Sequence, residues 1–114
     1  LNVMTRAVFF RRDGLITGFT VTGHCTADCE DEAGRIACAA VSSAAYMTAN
    51  TLTEIVGAKA DIEVEDGWMR LALTSDPAPC QDVLKGFHLH MRQLAAENEH
   101  QIEVLFGGAI HVKD

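Results

Sequence analysis

"VMTRAVFFRRDGLITGFTVTG", Val3 to Gly23, decides the fold. Apolar and β-branched residues flank Asp13-Gly14, a dipeptide that accepts the positive φ angles of a tight primed turn. The stretch reads as a β-hairpin. A second stretch, "KADIEVEDGWMRLALT" from Lys59 to Thr74, reads the same way. Ile62 and Val64 alternate with Asp61, Glu63 and Glu65, and Asp66-Gly67 then turns the chain into Trp68, Arg70, Leu71 and Leu73.

Each hairpin leads into a segment of helical period. The first helix is expected from Arg35 to Val56, with Gly57 as its stop. Ile36, Ala40, Val41, Ala44, Met47, Leu52, Ile55 and Val56 recur at spacings of three and four and form its expected buried face. Its first half is almost all Ala, Ser and Cys, so another backbone or a ligand can come close. The second helix is expected from Pro79 or Cys80 to about Asn98, because proline suits a first turn where no backbone donor is needed. Val83, Leu84, Phe87, Met91, Leu94 and Ala95 form its apolar face. A last strand is expected over Ile102 to Phe106, with Gly107-Gly108 turning it into a short partner, Ala109 to Val112. The order β-β-α-β-β-α-β predicts a two-layer α+β fold, a mostly antiparallel sheet with two helices on one face. A chain of 114 residues suits one domain over 1–114.

The formal net charge is −7, and the basic residues are scattered rather than gathered into a stripe. Direct binding to a nucleic acid is therefore not expected. A basic protein or peptide is the better partner, because opposite charge steers encounter. No apolar run approaches the roughly 20 residues needed to cross a bilayer, so no membrane partner is expected. No secretory signal pattern is present, which points to the cytoplasm and to reduced cysteines.

The chemistry gathers in "TGHCTADCEDEAGRIACAAVSS", Thr22 to Ser43. Three readings of it are open. His24, Cys25, Cys29 and Cys38 offer zinc ligands, but the Cys-x3-Cys spacing is looser than a paired knuckle and carboxylates surround it. A disulfide framework is permitted by an even cysteine count, but a reducing compartment argues against it. A nucleophile needs only Cys38, in the first turn of the expected helix, and His24, at the end of the second strand. The helix N-terminus and a neighbouring imidazolium would both lower the thiol pKa from its usual value of about 8.5. The bland alternative is a small buried helix cysteine and a satisfied polar histidine.

Here the sequence resembles a known family. "TGH", an acidic loop and then "G-x-I-x-C-A-A-V-S" is similar to the ribosomal-processing cysteine protease family, Prp, whose pattern is a Gly-His at a strand end, a loop, and an Asp-Ile-Val-Cys-Ala-Ala-Val-Ser helix start. The "RRDG" hairpin, "Q-L-A-A-E" near the end of the second helix and the trailing strand also sit where that family has equivalents. The resemblance implies a homodimeric bacterial endopeptidase. Its substrate would be the N-terminal extension of a large-subunit ribosomal protein, number twenty-seven. Cys38 would be the nucleophile and His24 the general base. Gly23, Asp31, Gly34, Arg35, Ala39 and Ser42 would line the substrate site, and backbone amides near Cys38 and Ala39 would hold the oxyanion. The loop from Cys25 to Gly34 would act as a lid. No cofactor or metal is implied.

The sequence departs from the pattern at Arg35, at Cys25 and in the loop, which is slightly longer and lacks the family's aromatic residue. Arg35 stands where the family has Asp, leaving Asp31 or Glu32 as substitutes for a carboxylate that orients the histidine. Cys25 follows His24 where Ala is usual. A peptide-binding module without catalysis and a small zinc or thiol protein are therefore the alternatives. Elsewhere, His88 and His90 are two apart on a helix and point to different faces. His100 and His111 are expected at the surface. Trp68 is expected to cover the sheet, Cys80 to be a cap-region thiol, and Leu52, Ile55 and Val56 to lie in the core.

Overall fold

The computed structural model describes residues 5–23, 32–108 and 110. The segment 24–31 and most of the expected partner at 109–112 lie outside the described residues; Ile110 carries no strand.

Strands β1 (Thr5–Arg12) and β2 (Leu15–Thr22) form the first hairpin. Its turn has φ 54° at Asp13 and 80° at Gly14, the primed geometry expected of that dipeptide. Helix α1 (Glu32–Asn50) follows and continues as a π-helical turn over Thr51–Ile55. Gly57, at φ 80°, ends it. Strands β3 (Ala60–Glu65) and β4 (Trp68–Leu73) form the second hairpin, whose turn has a positive φ at Gly67 alone. A short 3-10 turn at Ala78–Cys80 leads into α2 (Gln81–Glu97), and β5 (Ile102–Gly107) closes the order.

The sheet runs β3-β4-β2-β1-β5. All its pairings are antiparallel except β1 with β5. That parallel pair follows from the crossover through α2, which returns the chain to the β1 edge in the same direction. The register stacks Phe9 beside Phe19 and Phe19 beside Leu71, so alternate residues of β1, β2 and β4 form one apolar face. Phe9, Phe19, Leu71, Leu84 and Met91 are fully buried there, each contributing about 1.5–3 kcal/mol. Phe9, Phe19 and Phe87 pack with centroids 4.9 to 6.1 Å apart, joining the sheet to α2.

Two expectations about α1 are corrected. It begins at Glu32, three residues before Arg35, so Cys38 is its seventh residue and lies in the second turn. Its buried row is also not the large apolar one. Gly34, Ala37, Val41, Ala45 and Ala49 face the sheet, while Ile36, Met47 and Ile55 are exposed. The small side chains let the helix sit close on β1 and β2, which leaves the bulky residues on the flanks. Leu52 is buried as expected and Val56 is half-buried.

Candidate active site

The end of β2 meets the second turn of α1. Gly23, the residue to which His24 is joined, lies so close to Cys38 that a Cβ on Gly23 would stand 2.6 Å from Sγ. Only a glycine permits that approach, since real side chains do not come so near. The β3–β4 turn closes the other side. The Gly23 amide donates to the Gly67 carbonyl at 2.8 Å, and a Cβ on Gly67 would lie 2.7 Å from the Gly23 carbonyl oxygen. Sulfur, strand end and hairpin turn are thus stacked in backbone contact.

A cleft of about 60 Å³ opens over this stack. Cys38 and Ser42 supply one wall from successive turns of α1, and Gly23 lies beside them. Tyr46, Glu65 and Trp68 complete the rim. Cys38 is half-buried, so its sulfur is reached from the cleft. Three sequence-predicted site residues, Gly23, Cys38 and Ser42, therefore meet in one place. Gly34 is buried one turn before Cys38, while Arg35 and Ala39 lie on an exposed face of the helix outside the cleft lining. His24 and Asp31, and the lid expected over Cys25 to Gly34 as far as residue 31, fall outside the described residues.

The expected oxyanion donors are corrected. Because α1 starts at Glu32, the amides of Cys38 and Ala39 lie inside the helix and point to the carbonyls four residues earlier. The unpaired amides of a helix belong to its first turn, which Cys38 has passed, and the dipole effect also fades within that turn. Neither the charge of the helix end nor these amides serve the sulfur.

Tyr46, Glu65 and Trp68 were not singled out in the sequence as site residues. Trp68 and Glu65 face each other across the β3–β4 turn, and the pairing of β4 with β2 brings Trp68 beside Thr22. That long-range pairing has no local sequence signal. Tyr46, two turns after Cys38, could have been read from helical spacing.

Among the described residues, the other cysteine and the histidines of α2 sit elsewhere. Cys80 is wholly buried at the start of α2, where burial and then the Asp76 carboxylate push its thiol up. His88 packs among aromatic rings and His90 is exposed, so the two do point apart. A larger groove, about 290 Å³, runs between α1 and α2 past Met47 and Phe87, but it carries no thiol. Among the described residues, no group of three or more His, Cys, Asp or Glu is placed to hold a metal ion, and no helix is long and apolar enough to cross a membrane. The His24, Cys25 and Cys29 set of the zinc alternative falls outside the described residues.

Residues 4–103 match the family described as cysteine protease Prp. The chain belongs to that family. Solved structures agree in fold. A Streptococcus mutans protein superposes with a TM-score of 0.80 at 23% identity, covering 92% of this chain and 98% of its own. An essential ribosomal processing protease Prp from S. aureus, in complex with a substrate peptide, gives a TM-score of 0.81 at 18% identity, covering 91% of this chain and 100% of its own. The same S. aureus protease with a covalently linked product peptide gives 0.77 at 18% identity. At these identities the likeness establishes the Prp fold. No curated protein matches the sequence.

Proposed function

We propose that this Prp-family protease is an endopeptidase that removes the N-terminal extension of a large-subunit ribosomal protein, number twenty-seven. Cys38 is the nucleophile and His24 the base. The thiolate attacks the scissile carbonyl and forms a tetrahedral adduct while His24 holds the thiol proton. His24 then gives that proton to the amine as the C–N bond breaks and a thioester is left, and water hydrolyses the thioester with His24 again as base. The observation that carries the reading is the contact of Cys38 Sγ with Gly23, because Gly23 is covalently joined to His24 and the sulfur faces a cleft. The S. aureus neighbour, a ribosomal processing protease seen with substrate and with covalently linked product, supports the substrate class.

Gly23 and Ser42 line the peptide site beside the sulfur, with Gly34 behind them. Asp31, Arg35 and Ala39 meet the substrate on the approach to the cleft. The net charge of −7 favours a basic ribosomal protein. The enzyme works as a cytoplasmic homodimer in a bacterium, as one domain over 1–114, without a cofactor, a nucleic acid or a membrane.

The deciding experiment incubates the protein with the extended ribosomal protein and reads the product by intact mass. Loss of the extension with the native protein, and its retention with Cys38→Ala, is the expected result. Cleavage undiminished in Cys38→Ala sinks the assignment. The exposed position of Arg35, where the family has Asp, favours a second reading, a peptide binder without turnover. Saturable binding of the extension by the native protein with no mass change would select it.

A further inference from the structure

The site above uses Gly23 and Cys38, but the contact chain does not stop there. It runs on into the Asp66–Gly67 turn, more than 40 residues away in sequence and part of the other hairpin. We infer that this turn is a positioning element of the proteolytic site, with Gly67 holding Gly23 against the Cys38 sulfur. The inference rests on Cys38 being the nucleophile.

Three features support it. The Gly23 amide donates to the Gly67 carbonyl at 2.8 Å, so the Thr22–Gly23 peptide is tied to the turn. The turn also abuts the next peptide, the one that joins Gly23 to His24: a Cβ on Gly67 would lie 2.7 Å from the Gly23 carbonyl oxygen, a backbone atom that cannot swing aside. On its other side Gly23 lies against Cys38, since a Cβ there would stand 2.6 Å from Sγ and 3.7 Å from Thr5 Oγ1. A push at residue 67 is therefore passed through Gly23 to the sulfur. Nucleophile geometry is sensitive to such pushes, since a misplacement of about 1 Å can cost on the order of 10²-fold in rate. The residues flanking the turn, Glu65 and Trp68, line the same cleft together with Gly67, so the turn is a wall of the site as well as its clamp.

The molecule supplies its own control. Gly14, in the first hairpin's turn, has φ 80° against 75° at Gly67, but a Cβ there would meet nothing within 4 Å. Gly14→Ala and Gly67→Ala impose the same backbone strain. Only the second pushes on Gly23.

The test compares these variants, together with Gly67→Asn, for thermal melting, for kcat and KM on the extension peptide, and for the alkylation rate of Cys38. Asn tolerates the positive φ but keeps the Cβ. Both Gly67 variants are expected to lose at least about 10-fold in kcat with KM within about 2-fold, and to change the Cys38 alkylation rate. Gly14→Ala should melt lower by a similar amount with kcat unchanged. Folded Gly67 variants with native kcat and alkylation overturn the inference. So does failure of both to fold while Gly14→Ala folds, which would make the turn a folding element only. Cys38→Ala run alongside separates the two claims: if it still cleaves, the nucleophile reading fails whatever Gly67 does.

Discussion

Two cysteines sit near the front of two helices, each helix following a hairpin, and their surroundings are opposite. Cys80 caps α2 and is fully buried. The next residue, Gln81, seals the site: its side-chain oxygen accepts from the Ile16 amide at 2.9 Å and its nitrogen donates to the Ile16 and Pro77 carbonyls at 2.9 and 2.8 Å. The start of α2 is thus stitched to the start of β2; a cavity of about 160 Å³ borders Cys80, but its side chain has no exposed surface. Cys38 lies in the second turn of α1, half-buried, facing a cleft and touching the last residue of the strand connection before His24. The same local pattern, hairpin then helix with an early cysteine, yields a buried thiol in one unit and a half-buried one facing a cleft in the other. What separates them is the neighbour across the helix start, a hydrogen-bonded glutamine beside Cys80 or a pair of glycines beside Cys38.

The largest expected effect breaks or keeps that contrast outright. Cys38→Ala and Cys38→Ser should lower cleavage of the extension peptide by at least about 10³-fold, since among the described residues Cys38 is the one thiol lining the cleft. Cys80→Ala should leave kcat within about 2-fold and cost stability on the order of 1 kcal/mol for the small void it leaves. Equal losses of activity at both positions would erase the distinction. Reactivity sharpens it next. In the native protein, site-resolved mass spectrometry after iodoacetamide should find Cys38 modified at least about 100-fold faster than Cys80, with the gap closing in urea. Equal rates without denaturant would mean that α2 opens as readily as the cleft is reached.

The hairpins and the element order were legible in the sequence because their signals are local. Asp13-Gly14 and Asp66-Gly67 name their turns, alternation marks β3, and Gly57 marks the end of the first helix. The nucleophile candidate was legible because a Gly-His before a loop and a Cys-Ala-Ala-Val-Ser after it form a recognisable pair. The buried face of α1 was not. Ile36, Met47 and Ile55 fit a helical period, yet they are exposed, and a row of Gly and Ala faces the sheet. Hydropathy gives small residues little weight, whereas close approach of a helix to a sheet selects them. The rim residues Glu65 and Trp68 were hidden for another reason, since only the pairing of β4 with β2 brings them to Cys38. The face assignment carries its own prediction. Leu52→Ala should cost about 2–5 kcal/mol in urea unfolding, whereas Ile55→Ala, at a position 80% exposed, should stay within about 0.5 kcal/mol. Comparable costs would place Ile55 in an interface that a single chain does not show.

The smallest effect is the pH dependence of stability, and it belongs to the second unit. His88, on α2, packs edge-on to Phe9 at 4.9 Å and against Phe106 at 4.6 Å, while the Arg11 guanidinium lies over Phe106 at 3.9 Å. Burial, then the charges of Arg92 and Arg11, hold its pKa below the usual 6.5. The folded state therefore prefers the neutral ring. Above pH 6.5 the contribution of His88 is complete. As pH falls below that value the unfolded chain takes the proton first, and stability declines toward the lower folded pKa. Cys80 gives the opposite limb. Burial, then Asp76, raises its pKa above 9.0, so its contribution is complete below that value and is lost as pH rises through the higher folded pKa. Urea midpoints measured across pH should thus show a plateau with an acid and an alkaline shoulder, the acid one flattened in His88→Gln and the alkaline one in Cys80→Ala. An alkaline shoulder that survives Cys80→Ala would show that the fold does not keep that sulfur protonated. The buried start of α2 would then limit how far a reagent can reach Cys80 without holding its thiol neutral.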